Sequence, residues 1–219
     1  MACSSEEFKS LLSRRKYIFH VHTTYTDGSG TVEDYFEYAS LHGYESIVFT
    51  EHVRMNMSYD FDAFLEDIKA ARQKFPWIMA LAGAEAKILP GGLLDIPDNV
   101  SSKIEVICIA CHSFPGNIRL YEKSFQKLLG DSRWGNHIRV WVHPGRFLRR
   151  MGLLDGNLEN IGSLIRLGAD RGVFIENNIK NNLPPASLLN GIHPDMIVVG
   201  CDAHSPSELG MLRACAAPD

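Results

Sequence analysis

The sequence has no long hydrophobic run and no excess of basic residues. No segment of its 219 residues approaches the roughly 18–20 consecutive apolar residues that cross a lipid bilayer. Basic side chains number 22 against 26 acidic ones, for a formal net charge of -4. A protein that tracks a polynucleotide usually presents a positive surface. The lack of a long apolar run argues against a membrane protein, and the lack of a basic excess disfavours nucleic acid as a partner. An anionic ligand must therefore be bound by a few local side chains.

Cysteine is also scarce, with five residues, an odd number for a disulfide framework. Cys108, Cys111 and Cys201 fall in or beside predicted strands, and we see no export signal. Cys108 and Cys111 have a Cys-x-x-Cys spacing, but three-residue spacing places two side chains on opposite faces of a strand. We therefore expect buried, reduced thiols rather than a redox or zinc pair, and a cytoplasmic protein.

The composition is that of a globular protein with one core. Hydrophobic residues make up 45% of the chain and charged residues 22%, and this length can bury one sizeable core. The first ten residues, Met1–Ser10, carry acidic side chains and are not predicted to contain an apolar core segment. We expect a single domain over residues 1–219.

Strand-like and helix-like segments alternate along the chain. Short runs rich in β-branched, aromatic and other apolar residues predict seven strands, at Tyr17–His22, Ser46–Glu51, Ile78–Glu85, Ile104–Cys111, Arg139–His143, Val173–Asn177 and Met196–Asp202. Amphipathic patterns predict helices at Val32–His42, Phe61–Phe75, Ile118–Leu129 and Leu158–Arg171. This alternation indicates a parallel sheet covered by helices, either a barrel or an open doubly wound sheet.

Side chains that bind metal ions decide between these folds, because they stand at nearly every predicted strand end. They are His20, His22, Asp27, His52, Glu85, His112, His143, Asp202 and His204. An open sheet gathers ligands at one crevice from a few strands, whereas a barrel brings all its carboxyl-terminal strand ends to one face. The sequence therefore predicts an α/β fold, a seven-stranded TIM-like (β/α)7 barrel, with a multinuclear metal site at its mouth.

Two pairs have a spacing that suits joint binding of one ion. A spacing of two in an extended strand puts His20 and His22 on the same side, while Val21 packs the other way. Asp202 and His204 repeat this spacing after the last strand. One such pair is as often two surface or capping side chains, but two pairs together favour metal binding.

These residues resemble the PHP family, the polymerase and histidinol phosphatase domain. The motifs that carry the resemblance are His20-Val21-His22-Thr23 with Asp27-Gly28, Thr50-Glu51-His52, Gly83-Ala84-Glu85, His143-Pro144-Gly145 and Asp202-Ala203-His204-Ser205. The turn at Pro90-Gly91-Gly92 and the Leu93–Pro97 segment are similar to the family's third-strand hairpin. The resemblance spans residues 17 to about 209.

The resemblance implies a distorted seven-stranded barrel that holds two or three divalent ions. By position, one ion would be bound by His20, His22, Glu85 and Asp202, a second by His112, His143 and a bridging Glu85, and a third by Asp27, His52 and His204. Ligands of nitrogen and oxygen without thiolate admit manganese, zinc and iron alike. The reaction implied is phosphoester hydrolysis by a metal-activated hydroxide, with Glu85 and Asp202 as essential carboxylates.

Cationic side chains are needed for the phosphate oxygens, and three follow strand ends. Arg146 is the first candidate for a catalytic phosphate clamp, with Arg54 and Lys87 behind it. Glu51 either orients the imidazole of His52 or makes a local hydrogen bond. Glu176 ends a strand and is expected at most to line the substrate pocket.

Three functions remain open at this point. A small phosphorylated substrate, in the manner of histidinol phosphate, fits the negative net charge best. A nuclease or exonuclease of the same family is disfavoured by that charge, and a non-catalytic metal-binding regulatory module would be expected to have lost ligands. The stretch from Pro206 to Ala217 can form only a short helix, so we expect either a homo-oligomer contact or a fraying end there.

Overall fold

Eight strands form the sheet of the molecule, seven of them parallel and arranged in sequence order. The structure is a computed structural model, and it describes residues 3–215, with side chains as far as residue 212. The strands are β1 (Tyr17–Val21), β2 (Ser46–Val53), β3 (Met79–Leu89), β4 (Leu93–Leu94), β5 (Val106–Ala110), β6 (Ile138–Trp141), β7 (Val173–Asn178) and β8 (Ile197–Gly200). Strand β4 folds back antiparallel on β3, which is the hairpin expected after the turn at Gly91 and Gly92.

The sheet curls until its first and last strands nearly meet. A single bridge joins Val21 to Ala203, where the amide of His22 donates to the carbonyl of Ala203 over 2.8 Å. The amide of Ala203 in turn donates to the carbonyl of His20 over 3.0 Å. The predicted α/β barrel of seven parallel strands is therefore confirmed, with a distorted closure between β1 and β8.

Helices lie before, between and after the strands. They are α1 (Ser5–Ser13), α2 (Val32–His42), α3 (Phe61–Lys74), α4 (Asp98–Ser101), α5 (Ile118–Leu129), α6 (Arg146–Arg150), α7 (Leu158–Asp170) and α8 (Gly210–Cys215). Helix α2 shows why such bounds were predictable, since Thr31 and Asp34 form a capping box at its start. Gly43 ends it in the left-handed conformation with φ 74°, which glycine adopts without a steric cost. None of the helices in residues 3–215 is long and apolar enough to cross a membrane.

Two layers of buried side chains hold the barrel together. The interior is filled from alternate strand positions, for example Phe19, Val48 and Cys108, and the outer layer lies between strands and helices. Cys111 belongs to that outer layer, so Cys108 and Cys111 do face opposite sides. The cysteines that the structure describes with side chains are all free. Strand alternation therefore accounts for the opposite sides of the strand on which these two buried thiols lie.

The expectation for the first ten residues was wrong, because α1 is part of the core. Ser4 caps this helix in a capping box with Glu7, and Phe8, Leu11 and Leu12 are buried in the layer that fills the barrel interior. These three positions have the i, i+3, i+4 spacing of one helical face. Phe8 packs edge-on against Phe174 with ring centroids 5.0 Å apart. Helix α1 therefore closes the barrel at the amino-terminal ends of the strands, opposite the predicted site.

The chain after the last strand forms a 3-10 turn, Pro206–Leu209, followed by α8. Leu209 and Leu212 are buried against the outer layer. Ala216 and Ala217, the end of the stretch for which a homo-oligomer contact or fraying was expected, lie outside the described residues. That expectation stays a prediction.

Candidate metal centre

Three residues at the barrel mouth have backbone conformations that non-glycine residues seldom adopt. Their φ angles are positive: 68° at His20, 32° at His143 and 51° at Asp202. The register of β1 against β2 also shifts between Phe19 and Val21, so His20 is the extra residue of a bulge. As a result Phe19 and His20 both face the interior, Val21 packs outward, and His22 faces inward again. Strain of this kind collects at functional sites.

Glu85 lies at the centre of the mouth, fully buried, with five imidazoles around its carboxylate. Oxygen Oε1 lies 2.9 Å from Nε2 of His143, 3.2 Å from Nε2 of His112 and 4.0 Å from Nε2 of His20. Oxygen Oε2 lies 2.6 Å from Nδ1 of His52 and 3.6 Å from Nε2 of His22. These histidines come from the ends of β1, β2, β5 and β6, which only a barrel brings together.

The remaining three predicted ligands join the same cluster. Oxygen Oδ1 of Asp202 lies 3.2 Å from Nε2 of His22 and 3.6 Å from Nε2 of His20. Asp27 lies 3.4 Å from Nε2 of His52 and also 3.4 Å from Nε2 of His204. The structure therefore brings all nine predicted metal-ligand candidates into one connected network.

Three groups of side chains within this network have donor atoms close enough together to hold an ion. They are His20 with His22 and Glu85, then Glu85 with His112 and His143, and then His22 with His52 and His204. The first is the set that the family resemblance implied for one ion, without Asp202, and the second is the set implied for another ion. In the third group His22 takes the place expected for Asp27, although Asp27 remains within 3.4 Å of His52 and His204.

The donor atoms in these groups fit divalent ions. Several have no hydrogen-bond partner although they are buried, among them Nε2 of His20 and Nε2 of His22. Buried polar atoms in a folded protein are rarely left unpaired, and those without a partner call for a bound group. The donors are imidazole nitrogens and carboxylate oxygens, a set that suits manganese, iron or zinc.

The charges of these side chains suit the same purpose. Burial opposes ionisation of Glu85, but hydrogen bonding to His143 and His52 holds its pKa well below the usual range. Burial lowers the pKa of His22 to about 4 and that of His112 to about 3. His22 and His112 are therefore neutral at pH 7, and Glu85 is ionised, which are the forms that bind metal ions.

Glu176 on β7 supports the site in a way that the sequence analysis did not predict. It is fully buried, and its oxygen Oε1 lies 2.6 Å from Nδ1 of His20. Burial alone would lower the pKa of His20, but the charges of Glu176 and Asp202 raise it to about 9. The signal available in the sequence was an acidic residue inside a buried strand, Val173–Asn178.

Glu51 does not orient His52. It is buried, and its oxygens accept hydrogen bonds from the amide of Thr23, over 2.7 Å, and from the hydroxyl of Thr26, over 2.5 Å. Of the two roles considered for Glu51, the local hydrogen bond is the one present. The carboxylate holds the loop that carries Asp27.

Cationic side chains reach the mouth from two sides. The pocket above the cluster is lined by Asp27, His52, Arg54, His112, Arg146, Asp202 and His204. Arg146, the first residue of α6, donates from Nη1 to Oδ2 of Asp202 over 2.7 Å. Arg54 donates from Nη1 to the carbonyl of Glu85 over 3.1 Å. Lys87 is half-buried on β3 and is not among the described residues that line this pocket.

Comparison with known proteins identifies a family. A family model described as the PHP domain matches residues 19–139. The DNA polymerase/3'-5' exonuclease PolX of Bacillus subtilis (strain 168) is 25% identical over 205 residues, which cover 89% of this chain and 35% of that protein. The chain thus spans about a third of the length of this relative.

A solved structure also matches, but with low sequence identity and a low TM-score. It is N-isopropylammelide isopropylaminohydrolase from Burkholderia multivorans ATCC 17616, with 15% identity, a TM-score of 0.39, and coverage of 85% of this chain and 62% of that one. The family model, in contrast, matches more than half of the chain and includes four of the histidines and the central glutamate of the cluster. The chain belongs to the PHP domain family of metal-dependent phosphoesterases.

Proposed function

We propose that this protein is a divalent-metal-dependent phosphatase that hydrolyses a small phosphate monoester. The observation that carries the proposal is the set of five imidazoles within 4.0 Å of one buried carboxylate, Glu85. Such a cluster is costly without ions, because unpaired buried polar atoms are destabilising.

The three groups of donor atoms would each hold one ion. Glu85 would be shared between the first two groups. A neutral imidazole offers one lone pair, so His22 would serve either the first or the third group, and Asp27, 3.4 Å from both His52 and His204, is available to the third. Asp202 would complete the first group through Oδ1. When bound, manganese, zinc or iron would supply Lewis acidity that makes water nucleophilic at neutral pH and neutralises charge on the phosphate.

The side chains at the mouth would bind and orient the substrate. The guanidinium of Arg146 is held at the edge of the cluster by its 2.7 Å contact with Asp202, and Arg54 is held on the other side by the carbonyl of Glu85. Guanidinium groups match the geometry of phosphate oxygens and keep their charge at any physiological pH. We assign Arg146 as the main phosphate clamp, because it lies beside both the cluster and solvent.

A second function is favoured by a specific observation. The PolX relative is named as a 3'-5' exonuclease, so cleavage of a phosphodiester at a DNA end is the alternative. The net charge of -4 supports the small monoester over a polynucleotide.

The remaining parts of the proposal concern organisation. We infer one domain over residues 1–219 and a cytoplasmic location. The single barrel and the free, buried thiols support these inferences.

The test is a substrate panel with protein purified without chelator and supplied with Mn²⁺, Zn²⁺ or Fe²⁺. The panel contains p-nitrophenyl phosphate, bis-p-nitrophenyl phosphate and end-labelled single-stranded DNA. The proposal predicts a kcat/KM for the monoester at least roughly tenfold above that for the diester, a difference of about 1.4 kcal/mol in barrier. Stepwise shortening of the DNA from its 3' end, with a weaker monoester reaction, would instead establish the exonuclease alternative.

A further inference from the structure

We propose that Glu176 is the positioning residue of the metal cluster, a single carboxylate that fixes His20 and His143 in the orientation needed to bind ions. The inference rests on the proposed function, because it concerns the same cluster. Glu176 does not line the mouth and is not a member of the three donor groups found among the described residues.

The two oxygens of Glu176 contact two different strand ends. Oε1 accepts from Nδ1 of His20, which lies 2.6 Å away after β1, and Oε2 accepts from the backbone amide of His143, 2.5 Å away after β6. The carboxylate is fully buried. Hydrogen bonds to an ionised acceptor are the strongest of their kind, and low solvent access strengthens them further.

The contact with His20 decides which nitrogen of that ring is available. A carboxylate can only accept hydrogen bonds, so Nδ1 of His20 must carry a proton and donate the hydrogen bond to Glu176. Nitrogen Nε2 is then the atom left to bind an ion: it faces the cluster, 3.6 Å from Asp202 and 4.0 Å from Glu85, and has no hydrogen-bond partner. A carboxylate behind an imidazole fixes both ring orientation and tautomer in this way.

The same carboxylate supports two unusual backbone conformations. His20 and His143 both have positive φ, at 68° and 32°, and such conformations persist only where surrounding contacts hold them. Glu176 holds one of these residues by its side chain and the other by its backbone. One side chain on β7 thereby connects the ends of β1 and β6 beneath the cluster.

A glycine on the neighbouring strand leaves the space for this carboxylate. An added Cβ at Gly200 would lie 2.1 Å from Oε1 of Glu176 and 3.0 Å from its Cδ. No side chain larger than hydrogen fits there without moving the carboxylate. The lack of a side chain at Gly200 on β8 therefore allows Glu176 on β7 to hold the position from which it contacts His20 and His143.

The test measures Mn²⁺ binding, with Glu176→Gln as the main variant. Both partners of Glu176 donate hydrogen bonds, whereas an amide offers one acceptor and one donor, so glutamine can satisfy only one of them. We expect Mn²⁺ affinity at one or more sites to weaken by about 10- to 100-fold, measured by calorimetric titration of the metal-free protein. Gly200→Ala should weaken it in the same direction, because it displaces the carboxylate without removing its charge.

The matched control is Val48→Ala, a fully buried interior position on β2 that touches no member of the cluster in the contacts described. It should lower the unfolding temperature and leave Mn²⁺ affinity within about twofold of the wild type. Unchanged affinity in Glu176→Gln, or an equal loss in Val48→Ala, would overturn the positioning role. A wild-type protein that binds Mn²⁺ but hydrolyses neither ester would overturn the proposed function alone.

A measurement on the wild type covers the case in which Glu176→Gln does not fold. Nitrogen-15 spectra of histidine-labelled, Zn²⁺-loaded protein report the protonated nitrogen of each ring, and the His20 signals are those missing in His20→Asn. The proposal expects a protonated Nδ1 and a metal-bound Nε2 at His20. Binding through Nδ1 would refute it.

Discussion

Replacing Glu85 by glutamine should remove most of the metal from this protein. Its carboxylate lies within 4.0 Å of five imidazoles and belongs to two of the three donor groups. The amide keeps the shape of the side chain but loses the charge that two ions would share. The group of His22, His52 and His204 does not contain Glu85, so that group alone should retain an ion.

The expected loss of metal follows from the number of donor groups that contain Glu85, two of the three. Metal content should fall from two or three ions per chain to one at most, as measured by mass spectrometry of the metals after desalting. Loss of the ions that polarise the phosphate should raise the barrier by about 4 kcal/mol, which is roughly a thousandfold in kcat/KM. Glu105→Gln is the matched control, because Glu105 is a half-buried carboxylate that accepts from the amide of Ala82 over 3.0 Å, away from the mouth. A Glu85→Gln protein with wild-type metal content and kcat/KM would refute the reasoning.

Three further predictions concern other parts of the molecule. Arg146→Ala should lower kcat/KM by about 2–4 kcal/mol in barrier while metal content is retained, since Asp202 keeps its 3.2 Å contact with Asn181; unchanged kinetics would remove Arg146 from the site. Phe8→Ala should destabilise the fold by about 3–5 kcal/mol in denaturant unfolding, because Phe8 is fully buried against Phe174, and a loss below about 1 kcal/mol would show that α1 is not part of the core. Removal of metal with a chelator should lower the free energy of unfolding by about 2.7 kcal/mol for each ion bound, relative to protein at a Mn²⁺ concentration of 100 times Kd, and an unchanged unfolding curve would argue against metal binding to the native state.

Much of the barrel could be predicted from the sequence because local patterns and the global fold agree. The helices Val32–His42 and Ile118–Leu129 have the bounds that their apolar spacing and end signals predict. The strands were placed within a few residues, although β3 extends to Leu89 rather than ending at Glu85. The extension forms the hairpin with β4, which depends on tertiary pairing rather than on the strand's own pattern.

Helix α1 was missed although its signals were present. The Ser4 and Glu7 capping box and the apolar positions 8, 11 and 12 mark a short amphipathic helix. Acidic residues in its first turn suit the positive end of a helix dipole, and they do not indicate an unstructured segment. The missing information was tertiary, namely an open barrel end that the helix closes.

At the site, composition and spacing could identify side chains but not their pairing. The period of two correctly placed His20 and His22 on one side, yet the bulge that also turns Phe19 inward has no sequence signature. Glu176 could not be linked to His20 across 156 positions without the fold. Glu51 was adjacent to His52 in the chain but faces Thr23 and Thr26, since neighbours along a strand point to opposite sides.

A crystal structure of the protein grown with Mn²⁺, with anomalous scattering recorded near the manganese edge, tests the central claim most directly. The account predicts two or three anomalous peaks at the barrel mouth, with Glu85 bonded to two of them and His20 bound through Nε2. Manganese–ligand distances should be about 2 Å, close to the roughly 2.0–2.2 Å that nitrogen and oxygen donors make to zinc. Strong peaks elsewhere on the molecule with none at Glu85, or no peak at all at saturating Mn²⁺, would contradict it.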